Sequence, residues 1–269
     1  MKRINSKSKI YRTLKYNMLS FQIASDLHIE YKNDEVPDPS IYIEPKADIL
    51  VLAGDIGSFY KFEQLKTFLS LLCKQFKTVL YVPGNHEYYK IAGIYPKKME
   101  ELLENFMTLE KEFNNFFILN RTSIQIGDVC IVGCTLWSNC IIPLPKYIVR
   151  IKNMDTAIYN TLHNQDVLFI NKAIAFCKQK SLKLLVITHH APTYDVTSSF
   201  SNKKKSYSSL YASNLNHLLT IDKVHTWICG HVHVNFDYIT EGGTHLVGNQ
   251  YGKPKDNIND YDKSKIIYV

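Results

Sequence analysis

Ten side chains able to bind metal or move protons fall in five places, each directly after an apolar run. FQIAS is followed by Asp26 and His28, and DILVLAG by Asp55. LYVPG leads into Asn85, His86 and Glu87, LLVIT into His189 and His190, and TWICG into His231 and His233. The set combines imidazoles and carboxylates with one amide and no thiolate. That chemistry suits Mn²⁺, Fe, Zn²⁺ or Ni²⁺ better than Ca²⁺ or a thiolate-bound structural zinc. Seven of the ten (Asp26, His28, Asp55, Asn85, His189, His231 and His233) are candidate ligands. They are too many for one ion with an open position and suit two ions sharing Asp55. Paired ions orient a phosphate ester, lower the pKa of a bound water and offset charge on both the attacking and leaving oxygens.

The elements that must position these residues follow from the apolar runs. Short runs at 19–25, 49–53, 78–82, 123–126, 129–134, 184–188 and 224–229 read as buried strands. Runs at 236–239, 244–247 and 265–269 alternate more and read as antiparallel strands. Helical spacing appears over 62–76, over 97–113 behind Pro96, and over 166–179 and 210–219. Strand and helix alternate early and strands dominate late, which predicts a mixed-sheet core with helices outside. Open sheets place ligands at the carboxyl ends of their strands, where all five sets fall. Asp26/His28 and His231/His233 are each spaced by two; in extended backbone such a pair projects to one side and can reach one point. Gly54, Gly84 and Gly230 each precede a set and permit close backbone approach.

In this order, Asp26-x-His28, Gly54-Asp55, Gly84-Asn85-His86-Glu87, His189 and Gly230-His231-x-His233 resemble the calcineurin-like metallophosphoesterase family. The resemblance runs from about residue 19 to 249. It implies an α/β four-layer fold, a two-sheet mixed sandwich with helices on both outer faces. It also implies that Asp26, His28 and His233 hold one metal, Asn85, His189 and His231 a second, and Asp55 bridges both together with a hydroxide. Mn is the favoured metal. His86 would contact the phosphate and protonate the leaving oxygen. Glu87, His190, Asn249 and Tyr251 are candidates for substrate contact or for support behind the ligands, with His190 favoured as support. Trp137 reads as packing. The implied reaction is hydrolysis of a phosphomonoester or phosphodiester of a small or nucleotide-like molecule.

Other functions fit less well. A silent scaffold would be expected to have lost ligands or His86, and none is missing. A protein phosphatase of the family usually carries an arginine beside G-N-H-E, where this chain has Tyr88-Tyr89-Lys90. A nuclease needs a basic groove. The net charge is +7, but Lys2, Arg3, Lys7, Lys9, Arg12 and Lys15 supply +6 of it, leaving +1 over residues 18–269. Nucleic acid is therefore not an expected partner. Residues 1–17 read as a disordered basic tail and 18–269 as the metallophosphoesterase domain. Residues 196–209 read as an exposed loop able to act as a lid. No apolar run reaches the ~18 residues of a membrane helix, and none of the six cysteines forms a C-x-x-C pair. A soluble, cytoplasmic protein is the expectation.

Overall fold

A computed structural model describes residues 18–269; the basic tail expected at 1–17 lies outside the described residues. Two sheets form the core. The first holds β1 (Ser20–Ala24), β2 (Ile49–Leu52), β3 (Thr78–Tyr81), β4 (Phe116–Ile118) and the C-terminal β11 (Ile266–Tyr268), in the order β11-β1-β2-β3-β4. The second holds β5 (Thr122–Ile126), β6 (Val129–Cys134), β7 (Lys183–Thr188), β8 (Thr226–Ile228), β9 (Phe236–Ile239) and β10 (His245–Gly248), in the order β5-β6-β7-β8-β10-β9. β1 to β4 pair in parallel, as do β6, β7, β8 and β10; β11, β5 and β9 pair antiparallel at the edges. β10, expected to be antiparallel, is antiparallel only to β9.

Alternation along each strand divides its side chains between two apolar layers. Val51, Leu80, Ile131 and Leu185 meet between the sheets, while Leu50, Leu52, Val79 and Tyr81 face the helices of the first sheet. Cys130, Val132 and Val186 face the other way, toward α4 (Thr156–Lys180). Strands covered on both faces read as continuous apolar runs, which explains why these were visible in the sequence. On the first sheet lie α1 (Phe62–Gln75), which buries Leu65, Phe68, Leu69 and Leu72, and α2 (Met99–Met107), which buries Leu102 and Phe106.

Three helix expectations are corrected. The 97–113 segment breaks at Thr108 into α2 and α3 (Leu109–Glu112), and the Thr108 hydroxyl donates to the Asn105 carbonyl at 2.6 Å. α4 begins ten residues before the expected start because Asp155 caps it, accepting from the Ile158 N–H at 2.8 Å. Its buried stripe runs through Tyr159, His163, Asp166 and Ile170, so apolar periodicity alone misses its first half. The 210–219 segment is not a helix. Ala191 donates to Tyr211 O at 3.2 Å and Ser213 donates to Ala191 O at 3.1 Å, so pairing with the chain after β7 overrides the local pattern. The 196–209 segment is only partly exposed, since Val196, Thr197, Phe200 and Ser209 are buried; it carries α5 (Asn202–Lys205). Among the described residues no helix is long and apolar enough to cross a membrane.

Candidate metal centre

The five chain segments meet at the carboxyl ends of β1, β2, β3, β7 and β8. Three of them, after β1, β2 and β8, leave their strand sharply. Asp26, His28, Asp55, His231 and His233 all have φ between 49° and 69°, the left-handed region that non-glycine residues rarely occupy and that recurs at functional sites. The expectation that each i, i+2 pair lies in extended backbone is therefore corrected, although Asp26 and His28 do reach one point. His231 and His233 go to neighbouring points instead: His233 joins Asp26 and His28, and His231 joins Asp55 and His189. Glycine is required where these turns touch. Gly54 has φ 87°, and a β-carbon there would collide with the His189 ring; one at Gly84 would collide with the Asp55 carboxylate.

Within each group the ligand-capable atoms lie within 4.8 Å of one another. His233 Nε2 is 3.1 Å from Asp26 Oδ1 and 3.3 Å from His28 Nε2. His189 Nε2 is 2.9 Å from Asn85 Oδ1, 3.1 Å from His231 Nδ1 and 3.3 Å from Asp55 Oδ1. Asp55 Oδ2 lies 3.8 Å from His28 Nε2, so this one carboxylate faces both groups.

The outer nitrogens decide which ring atoms carry protons. Each faces an oxygen that can only accept: His28 Nδ1 meets Glu30 Oε1 at 3.0 Å, and His233 Nδ1 meets Asp256 Oδ2 at 2.5 Å. His189 Nδ1 meets Ala53 O at 2.9 Å and His231 Nε2 meets Leu210 O at 3.1 Å. Each outer nitrogen therefore donates, and a neutral imidazole then presents an unprotonated nitrogen inward. In their neutral form the four rings turn lone pairs toward two carboxylates and an amide oxygen. A divalent cation is the partner that this donor set fits.

Without a cation, the buried carboxylates draw charge onto the rings instead. Burial opposes ionisation of Asp55, but the imidazoles of His189, His86 and His28 prevail and hold its carboxyl well below the usual range. Burial likewise works against Asp26, and His233 outweighs it. His189 is buried, yet Asp55 lifts it to about 9, while burial beside His190 and His189 drives His231 well below its ordinary value.

His86 lines the cleft above the centre. Its N–H is tied to Asp55 Oδ1 at 2.8 Å and its Nδ1 donates to Glu30 Oε1 at 3.1 Å, so Nε2 is the nitrogen left for the cleft. Burial lowers its pKa to about 4, against the pull of Asp55 and Glu30. Glu30 thus serves two rings with one oxygen. Sequence reasoning missed it, although its place two residues after His28 was a usable signal. Asp256 was missed too, and its separation from His233 by 23 residues gave none.

The remaining candidates lie behind the centre. The Glu87 carboxylate accepts from the N–H groups of Asp55, Ile56 and Gly84 and from the Tyr81 hydroxyl (2.6–3.1 Å), tying two of the ligand loops together beneath the centre. Burial and the Asp55 charge push it up to about 8. His190 is held between Thr135 O at 3.3 Å and the Tyr159 hydroxyl at 3.1 Å, and packs on His231 with ring centroids 4.1 Å apart. Trp137 packs against Tyr88, Tyr159 and His190. Asn249 spends its amide on Ile23 O, Asp262 O and the Asp262 N–H (2.7–3.0 Å), and the Tyr251 ring sits between Tyr42 and Tyr261. Neither of these two reaches the cleft; their backbone instead holds Ser25 in place, through Ser25 N–H to Asn249 O at 3.0 Å and Tyr251 N–H to Ser25 O at 3.1 Å.

Comparison with known proteins agrees with this geometry. The chain is 25% identical over 278 residues to an uncharacterised protein of Acanthamoeba polyphaga mimivirus, covering 91% of this chain and 95% of that one. Its fold is similar to that of the phosphopantetheinyl hydrolase PptH of Mycobacterium tuberculosis, with a TM-score of 0.70 at 14% identity over 94% of this chain and 96% of that one. A dimetal phosphatase from Danio rerio matches with a TM-score of 0.54 at 12% identity, over 86% of each chain. The model of the calcineurin-like phosphoesterase family matches residues 20–235. The chain belongs to the calcineurin-like phosphoesterase family and is a hydrolase acting on phosphoester bonds.

Proposed function

We propose that the chain hydrolyses small or nucleotide-like phosphomonoesters or phosphodiesters at a centre of two divalent ions, with Mn²⁺ the favoured metal. One observation carries this reading: four imidazoles have their outer nitrogens taken by acceptors and turn their other nitrogens toward Asp26, Asp55 and Asn85. Asp26, His28 and His233 would hold one ion, Asn85, His189 and His231 the other, with Asp55 shared. Two such ions, when bound, would lower the pKa of the attacking water and offset charge on the phosphoryl oxygens.

The chain's own residues do the rest. Glu30 keeps the proton of His86 on Nδ1 and aims Nε2 at the cleft. As the water oxygen, having given its proton to solvent, bonds to phosphorus, the bond from phosphorus to the leaving oxygen breaks. His86, having taken up a proton at Nε2 beside the bound dianion, delivers it to that oxygen, so the alcohol departs neutral. Glu87 holds the loops of Asp55 and Gly84 at fixed separation. All six cysteines are unpaired among the described residues, which fits a reducing compartment such as the cytoplasm.

Metal analysis of the purified protein, with turnover of 4-nitrophenyl phosphate and bis(4-nitrophenyl) phosphate, tests the proposal. Two equivalents of metal and Mn²⁺-dependent release of nitrophenol are expected. No turnover with any divalent ion would reject it.

A further inference from the structure

Net charge hides where this chain gathers its cations. Three segments contribute to the lining of the cleft above the centre: 88–98 through Tyr89, 139–154 through Tyr147 to Arg150, and 198–213 through Lys204, Leu210 and Tyr211. They hold nine cations, three in each, and no carboxylate. With +1 over residues 18–269, the rest of that span therefore carries −8. Contacts tie the three into one surface. The Lys90 N–H donates to Arg150 O at 2.8 Å, and the Lys152 ammonium lies 5.0 Å over the Tyr95 ring. Asn139 N–H donates to Ser213 Oγ at 2.9 Å, Ile141 N–H donates to Ser209 Oγ at 3.4 Å, and the Tyr147 and Tyr207 hydroxyls share a hydrogen bond at 3.1 Å. Among the described residues, none of Lys90, Lys97, Lys98, Lys146, Arg150 and Lys152 has a carboxylate in ion-pair range. Large side chains stand out between these cations: Tyr95 is 79% exposed, Tyr147 74% and Ile141 79%. The chain around Tyr31, which also lines the cleft, is acidic, with Glu30, Asp34, Glu35 and Asp38 against Lys32. Asp256, the one carboxylate of the lining, is offset by Lys253 and Lys255.

Exposed tyrosines among unpaired cations make a surface on which bases stack while lysines and arginines follow the backbone. One polymer matches both this surface and the centre beside it. Its phosphoesters supply the negative charge that the surface meets and the bond that the centre cleaves; an acidic protein would match the charge alone. The cleft, about 410 Å³, is of small-molecule size, and Asp26, Asp55 and His189 at the centre are at most 1% exposed. A phosphate reaches them only on a chain that can bend inward, which a single strand does and a stiff duplex does not. We propose that this surface binds single-stranded nucleic acid and presents one of its phosphates, internal or terminal, to the centre. The inference rests on the proposed function and extends its substrate from nucleotide-like molecules to the strand. It revises the expectation drawn from net charge, because a sum over the chain does not register charge gathered on one surface. Cleavage is the hydrolysis described above: the water oxygen bonds to phosphorus, and the sugar hydroxyl departs with the proton from His86.

The probes are a fluorescein-labelled oligothymidylate of about 16 nucleotides, its duplex with oligoadenylate, poly-glutamate, and phosphatidylcholine vesicles containing phosphatidylserine. Each is titrated in EDTA against the full chain. The single strand is expected to bind most tightly and to weaken about tenfold or more between 50 and 200 mM salt. Tyr95→Ala and Tyr147→Ala should each weaken it about fivefold or more, while Tyr147→Phe, which keeps the ring, should not. Joint Lys97→Glu, Lys98→Glu and Lys146→Glu should flatten the salt dependence. Lys180→Glu, beside the amino end of β7, should change neither. With Mn²⁺ the strand should be shortened or lose a terminal phosphate. Tighter binding of the duplex, poly-glutamate or vesicles overturns the inference. So does strand binding that the tyrosine and lysine variants leave intact, as the basic residues 2–15 alone would give. A strand that Mn²⁺ leaves uncut while 4-nitrophenyl esters are turned over overturns it too. Should those esters also be inert with every divalent ion, the proposed function itself fails, and the binding titrations decide the surface by the same criteria.

Discussion

The two halves of the centre use the same inward chemistry but different backing. In the half of Asp26, His28 and His233, the imidazoles lean on side-chain carboxylates, Glu30 and Asp256. In the half of Asp55, His189 and His231, they lean on backbone carbonyls of Ala53 and Leu210. A carboxylate behind an imidazole raises its basicity strongly, and its charge can be removed by mutation; a backbone carbonyl raises it less and carries no charge to remove. The first half is therefore adjustable, and the second is fixed by the fold.

The largest effect should come from the one residue common to both halves. Asp55→Asn is expected to lower kcat by about 10³, which corresponds to several kcal/mol of lost charge stabilisation, and to reduce bound metal below two equivalents. Two equivalents with unimpaired kcat would break the comparison at its root. Glu30 comes next. Glu30→Gln keeps an accepting oxygen but removes the charge, and should weaken metal binding in the first half about 10–100-fold; Glu30→Ala should in addition lower kcat by releasing His86. Equal effects of the two variants would mean that charge alone matters. Asp256→Asn should weaken the first half about tenfold while leaving the second equivalent in place, as a metal titration would resolve.

The last effect, on stability rather than on metal or turnover, lies outside the centre, at a buried carboxylate with a cation but no cluster of imidazoles. Asp166 accepts from Arg121 at 2.7 Å, yet burial raises its pKa to about 6. Because the folded value lies above the unfolded one, the folded state holds the extra proton between pH 4 and 6, and stability falls as pH rises through that window. The loss should be about 3 kcal/mol, at about 1.4 kcal/mol per pKa unit, and Asp166→Asn should flatten it in urea titrations at pH 4 and pH 7. An unchanged slope would show that this carboxylate is charged throughout, like Asp26 and Asp55.

Much of this was legible in the sequence. Strands buried on both faces announce themselves as apolar runs, and the residues that follow such runs fall at the carboxyl ends of the strands of both sheets. The polar half of α4 was hidden because Tyr159, His163 and Asp166 occupy its buried stripe. β4 is three residues long, too short for any period to show. Glu30 and Asp256 were missed for a different reason: they touch histidines rather than ligands' shared target, and only the folded loops bring them there. Asn249 and Tyr251 sat in the right stretch of chain, but their side chains serve the backbone behind β1.

The left-handed turns carry a consequence for how this centre can change over generations. Five of the seven candidate ligands occupy a conformation that, glycine aside, Asp, Asn and His enter most readily. Those three are also hard or borderline donors. Glutamate or cysteine at these positions would meet backbone resistance before any metal had voted, so drift toward a softer, thiolate-rich centre is blocked by the main chain. The peptide geometry has chosen the donor chemistry in advance.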